Sequence, residues 1–557
     1  MIRRTQSFSG RAKLKVHNVG SHPIIRHYLA ELDASGIVRS CLGSARQGEV
    51  DHAMVACALV HNVLVSPGPM YRLGEWLKGI EPEALDLSPE QVAAINDDRA
   101  ARALDALASR RGKNVMFRLA LRVIKRFGLD TSRVHFDTTP VTLYGEYAVA
   151  DAAAKVARGR NASRRPDLKQ LMFGLNVVAD GAVPILHGVY SGNRTDDSVQ
   201  RGNWQTLTEL LGSAQFVYVA DSKLCTKDNL SLIASSGGRF VTVLPRSRSE
   251  DKRFRDALKK EPVRWRKLLE RPPKRLGEPP ETYSSCAVPD LTDDGYRLIW
   301  IRSSAKAERD ASTRERHLHE ARRELLELSS KLNRSKLKDK AAIKTAAKDI
   351  IRKHRSEHLL KVNVKSQKVI TTKYLRRGRP KPGDPVREVA ERRFALEVTI
   401  DEQARRLERR TDGVFAVVTN LVDLPKKEIL LIYKYQAYLE KRFALFKGDL
   451  SVAPVYLKKP SRIIGLLQVY FIAMIVAALV ERSVRRGMEQ GEIDSLPLLP
   501  EARPTATPTA PRILEAFKDV GWYEFEGPSE SATFPIELTP LQEQLLQLLH
   551  VPRALYT

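Results

Sequence analysis

The chain has 557 residues, 43% hydrophobic and 29% charged, a globular composition that can bury a sizeable core. Lysine and arginine number 93 against 66 acids, a formal net charge of +27, which points to a polyanionic partner: nucleic acid first, an anionic membrane second. The cysteines, Cys41, Cys57, Cys225 and Cys286, form no C-x-x-C pair and have no neighbouring histidine spacing, which argues against zinc and fits a reducing cytoplasm, and the opening MIRRTQSFSGRAKLKVHNVG lacks the apolar core of a signal peptide.

In chain order, residues 1–130 read as a helical N-terminal domain. VDHAMVACALVHNVL carries apolar residues at helical spacing, and LSPEQVAAI offers Ser88 as N-cap, Pro89 at the first helical position and Gln91 closing a capping box. The pattern then changes. Residues 133–147, 171–180 and 182–192 read as strands, the last two a hairpin about Asp180-Gly181. DDSVQRGNWQTLTELLG is helical, FVYVADSKL is an apolar strand ending at Asp221, TKDNLSLIASSG is a helix closed by glycine, and RFVTVLP is another strand. Three antiparallel strands followed by αβαβ make a mixed α/β sheet. Beyond Pro245 the order breaks down into a charged, proline-rich stretch, a strand at 296–303, a long basic helical stretch at 305–357, a basic loop RRGRPKPGDP and strands at 393–400 and 415–420. IIGLLQVYFIAMIVAALV (463–480) is just long enough to span a bilayer, but it reads as a helix buried in a large α/β core. Residues 491–512 read as a linker, followed by a tail of short helices.

The chemistry gathers in three places. LIYKYQAYLEKRFALFKGDL (431–450) is basic, aromatic and helix-shaped; Tyr433, Gln436, Glu440 and Lys447 fall within an arc of about 60° beside a broad apolar face. Asp137 sits in the strand VHFDTT, and Asp221 ends the strand FVYVAD, where open α/β sheets place their sites. Two aspartates and a helical glutamate are hard oxygen ligands, suited to Mg²⁺ with Mn²⁺ as a substitute. Two such ions about 4 Å apart can activate a nucleophile and stabilise a leaving oxygen on phosphate. On this reading Asp137, Asp221 and Glu440 are catalytic and metal-binding, while Tyr433 and Lys447 hold DNA phosphates. His135, two residues before Asp137 on the same strand face, either packs in the core or touches the site.

VHFDTTPV, GLNVVADGAVPILHGVYSGNRTDD, FVYVADSKLCTKDNL and then Tyr433-x2-Gln436-x3-Glu440-x6-Lys447, in that order, resemble the DDE transposases of bacterial insertion sequences. The resemblance is to the group whose third acid lies in a Tyr-x2-Arg-x3-Glu-x6-Lys signature, and it covers roughly residues 130–245 and 390–490. It implies an RNase H-like catalytic domain, a mixed sheet interrupted by a large insertion before the catalytic helix. It also implies cleavage at element ends by water and joining of the 3′-OH to target DNA without a covalent enzyme intermediate. The implied partners are double-stranded DNA, as terminal inverted repeats and target, and a second copy of the chain on paired ends; the implied place is the bacterial cytoplasm at the nucleoid, with no membrane. Gln436 departs from the signature's arginine, so the phosphate clamp is neutral there.

The resulting division is a helical N-terminal domain at 1–130 for end binding, the catalytic domain at 131–245 and 401–490, an insertion at 246–400 with long basic helices, and a linker and tail at 491–557. Arg377-Gly378-Arg379-Pro380 resembles a short core that lies in A·T-rich minor grooves, so Arg377 and Arg379 are candidate DNA contacts. Trp265 and Trp300 read as core rather than base-stacking residues. Two other classes remain open: a catalytically inactive DNA-binding relative, and another RNase H-like nuclease.

Overall fold

The computed structural model describes residues 13–557 apart from 47–48, 148–153, 160–166, 195–196, 274–276, 289, 335, 376–378, 380–382, 384, 454, 456 and 527–530. Two compact units emerge. The first comprises Met1–Thr242, Thr419–Asp423 and Glu428–Thr557; the second comprises Val243–Val418 and Leu424–Lys427.

The first unit is built on five strands: β1 (Arg133–Leu143), β2 (Lys169–Val178), β3 (Pro184–Ser191), β4 (Val217–Ala220) and β5 (Arg239–Val243). They lie in the order β3-β2-β1-β4-β5, antiparallel from β3 to β1 and parallel from β1 to β5. This is a mixed α/β sheet, as the sequence reading expects. Gly181 and Ala182 take positive φ (77° and 52°) in the tight β2–β3 turn, a conformation glycine adopts without cost. Parallel strands need long crossovers, and helices α1 (Asp197–Leu211) and α2 (Lys227–Ser235) supply them. The hydroxyl of Thr226 caps α2 by accepting from the Asn229 amide at 3.3 Å.

The helix carrying the candidate acid is not continuous. A helix at Lys426–Lys434 stops, Tyr435 turns, and α3 (Gln436–Lys447) begins. Behind α3 runs α4 (Pro460–Gln490), whose most apolar 18 residues average a hydropathy of 2.6 yet are 89% buried inside the protein. It packs on the helices His52–Val65 and Asp97–Ala108 and on the C-terminal helix Pro540–Leu549. Gly465 permits the closest approach, since a Cβ there would stand 2.1 Å from the Leu104 carbonyl oxygen. An apolar run of spanning length is here the centre of a core.

Residues before β1 are mainly helical, as expected. The capping box forms: the Ser88 hydroxyl accepts from the Gln91 amide, and the Gln91 side chain accepts from the Ser88 amide. The exception is a strand at Lys13–Asn18, which pairs antiparallel with Gly521–Glu526 in the tail. The tail therefore contributes sheet as well as helix, and the expected linker contains a small pairing of Leu496–Leu499 with Arg503–Thr505.

Three buried histidines, His22, His61 and His135, and a half-buried one, His187, mark this unit. Burial pushes His22, His135 and His187 down to about 4, and burial with the nearby charge of His22 pushes His61 well below its ordinary value. Each stays neutral when folded but takes a proton near pH 6.5 when unfolded. Stability from these sites is therefore fully present above about pH 6.5 and lost as pH falls toward 4, by at most about 3 kcal/mol per site. Urea midpoints measured between pH 7 and pH 4.5 should fall steadily; a flat profile would contradict the burial of these rings.

The second unit contains the antiparallel strands Trp265–Arg271, Glu281–Cys286 and Arg297–Ser303. Trp300 is core: its indole N–H donates to Asp290 at 2.9 Å and its ring stacks on Phe254 at 3.8 Å. The basic stretch forms helices Ser304–Ser330 and Lys340–Lys353, whose Leu318, Leu325, Ile343 and Ile351 share a core with the base of a long hairpin. That hairpin joins β6 (Leu360–Tyr374) to β7 (Val386–Ile400) in unbroken antiparallel register from Leu360↔Ile400 to Tyr374↔Val386.

Candidate active site

β1 and β4 are parallel neighbours, with Phe136 opposite Ala220. Asp137 and Asp221 follow immediately, so the register sets them level on adjacent strands, about 4.8 Å apart across the sheet. Backbone amides orient both carboxylates: Asp137 accepts from the Thr138 N–H at 2.7 Å and Asp221 from the Lys223 N–H at 2.9 Å. From β5, the Thr242 hydroxyl donates to the Asp221 carbonyl oxygen at 2.6 Å, fixing the end of β4.

Tyr433 reports how the third acid is placed. Its phenol is pushed up to about 12, first by burial and then by the negative charges of Asp221, Glu440 and Asp137. The three acids thus act on one hydroxyl. Lys447 is held below its ordinary value by burial, opposed by the attraction of Asp137. Both residues assigned to phosphate therefore sit in the field of the acids, and Glu440 itself is exposed on α3.

Gln436 is placed otherwise than a phosphate clamp requires. It is buried, its amide N–H donates to the Phe136 carbonyl oxygen at 2.9 Å, and its Oε1 lies 3.0 Å from Nδ1 of His135. The side chain ties the start of α3 to the strand that carries Asp137, one residue before it. His135 is the buried partner in this tie, with its ring 5.1 Å from that of Tyr435. Neutral glutamine suits such a place; a guanidinium there would be a buried charge. Replacing Gln436 by leucine should cost about 1–3 kcal/mol by orphaning its buried partners, read as a lower urea midpoint with DNA affinity unchanged. Lower affinity at unchanged stability would return the residue to the phosphate.

A second set of contacts positions the helix and escaped the sequence reading. Arg442 is buried on the apolar side of α3, pairs with Glu481 of α4 at 2.7 Å, and donates to the carbonyl oxygens of Ala182 and Gly181 at 3.0 and 2.9 Å. The next residue of α4, Arg482, pairs with Asp180 at 2.7 Å. The signal was present: one arginine inside an apolar stripe, and two charges closing an apolar run.

Among the described residues, no three carboxylate, imidazole or thiolate groups stand close enough together to make a ready-formed metal site. The donor chemistry of Asp137, Asp221 and Glu440 suits a hard cation. Arg379 is exposed in the second unit, and Arg377 lies outside the described residues.

A family model described as a domain of unknown function, DUF4277, matches residues 14–121, the helical region before β1. No curated protein matches the chain.

Proposed function

We propose that this protein is a Mg²⁺-dependent DDE transposase, with an RNase H-like catalytic domain formed by β1–β5 and α3. It binds the terminal inverted repeats of an insertion sequence, cleaves at the element ends and joins the 3′-OH to target DNA. The observation that carries this reading is the level placement of Asp137 and Asp221 on adjacent parallel strands, with both acting together with Glu440 on Tyr433. The net charge of +27 supports a DNA partner.

Asp137, Asp221 and Glu440 would hold the metal. Bound there, Mg²⁺ would lower the pKa of the attacking hydroxyl and neutralise charge on the phosphate. Lys447 supplies a cation to a non-bridging phosphate oxygen, and Tyr433 a neutral hydroxyl donor, held still further from ionisation by burial and the three acids. Gln436 positions α3 from below. The expected setting is a dimer on paired ends in the bacterial cytoplasm, with the N-terminal helical region engaging the ends.

Gln436, standing where the signature has arginine and buried against Phe136 and His135, favours a second reading, a DNA-binding relative without catalysis. The test is a strand-transfer assay with purified protein, its flanking terminal DNA and a supercoiled target, in Mg²⁺ or EDTA. Joined product that requires Mg²⁺ supports the transposase. Binding without cleavage supports the inactive relative, and cleavage without joining supports a nuclease.

A further inference from the structure

Strands β6 and β7 are each 15 residues long, so the ribbon they form is about 50 Å in length. Only its base is packed. Val364 and Leu360 enter the core, and Asn333 clamps the backbone of Phe394, donating to its carbonyl oxygen at 2.9 Å and accepting from its amide at 2.7 Å. Beyond that anchor, residues 367–374 and 386–393 are exposed or half-exposed on both faces, including Ile370, Tyr374 and Val386. An isolated two-stranded ribbon is only marginally stable in water.

Its charges make the situation less favourable still. Residues 360–400 carry eleven lysines and arginines against four acids. Glu391 is taken by Lys373 at 2.6 Å and Glu397 by Lys365 at 2.9 Å. Lys368, Arg387, Arg392 and Arg393 have no carboxylate at ion-pair distance among the described residues. Lys368 stands directly opposite Arg392, and Lys373 opposite Arg387, on opposite faces of the ribbon. Like charges facing each other across strands destabilise a sheet. A polyanion entering between them relieves that repulsion.

We propose that the β6–β7 ribbon is a DNA-binding arm that lies in the major groove of duplex DNA. The major groove is about 12 Å wide and admits a two-stranded β-ribbon. Cations on both faces then meet phosphates on both groove walls. A second copy of the chain is the poorer occupant, because the arm would meet its own excess of positive charge. The proposal rests on the DNA reading above but not on catalysis.

The test uses full-length protein with a fluorescent 40-base-pair duplex of mixed sequence, in EDTA, at several salt concentrations. The variant replaces Lys368, Arg387, Arg392 and Arg393 by glutamine. These changes are exposed and remove cross-strand repulsion, so the thermal unfolding temperature should not fall. Expected are affinity about 10- to 100-fold weaker near 0.1 M salt, and a salt slope shallower by about 3. Guanine N7 protection from dimethyl sulfate, present with the wild type, should be lost. Unchanged affinity and slope, absent N7 protection by the wild type, or a changed oligomeric state without changed DNA binding would each overturn the arm. If the arm variant weakens binding while the wild type joins no DNA in Mg²⁺, the arm stands and the transposase reading falls. No binding by the wild type would overturn both.

Discussion

Asp137→Asn or Asp221→Asn should reduce Mg²⁺-dependent strand transfer about a thousandfold or more, because each removes a charge from the proposed metal centre, which would stabilise several kcal/mol of developing phosphate charge. The substitutions are nearly isosteric. An asparagine oxygen can still accept from the Thr138 or Lys223 amide, so the strand ends should keep their geometry. Affinity for terminal DNA measured in EDTA should hold or rise slightly, since each change removes a negative charge near phosphate. Glu440→Gln should behave alike if α3 brings its carboxylate to the pair. Joined product should be followed with time beside binding for all three variants. Any variant retaining activity within about tenfold of the wild type would remove that acid from the catalytic set. Loss in the two aspartate variants alone would leave a two-carboxylate site.

The largest expected effect on stability is at Arg442. Replacing it with methionine strips the nearer of two arginine partners from Glu481, which is equally buried and keeps only Arg485 at 3.5 Å, and leaves the Gly181 and Ala182 carbonyl oxygens short of a donor. Breaking one side of a buried ion pair costs about 3–5 kcal/mol, so the thermal transition of this unit should fall by several degrees. Adding Glu481→Leu to Arg442→Met should recover part of the loss, because a poorly compensated buried carboxylate disappears; the Ala510 amide, which donates to Glu481 at 3.0 Å, and Arg485, which would lose its own partner, limit the recovery. Equal thermal transitions for Arg442→Met and wild type would show that the pair does not lock α3 onto α4. Arg442 lies on the helix of Glu440, so strand transfer should also decline.

How far the sequence disclosed the molecule depended on whether the signal was local. Asp180-Gly181 between two apolar runs, Ser88-Pro89 before a capping glutamine, and FVYVAD ending in an acid are short-range statements, and each element stands where it was expected. The break at Tyr435 was not legible, because the stretch keeps helical spacing on both sides and tertiary packing decides the turn. The role of Gln436 was missed for a related reason. It was read on a polar stripe open to phosphate, but it is buried, and its partners, Phe136 and His135, are 300 residues away in the chain. KVNVKSQKVITTKY went unread as a strand because its alternation fails at the polar middle, where no core lies beneath it to impose one. Pairing of Lys13–Asn18 with the tail was invisible for want of any pattern linking the two ends.

That last pairing orders events at the ribosome. The first strand cannot be completed until residues 521–526 emerge, which at about 5–20 residues per second comes roughly half a minute to two minutes later. The helices beside it wait almost as long for α4 to cover their apolar faces. Meanwhile residues 243–418 form a contiguous unit able to close while the surrounding unit is still half made. Nascent chains of this protein therefore spend most of their synthesis with an open hydrophobic seam. A truncation before α4 should be captured by chaperones and degraded, while one lacking only the final helix should leave a less stable but compact protein.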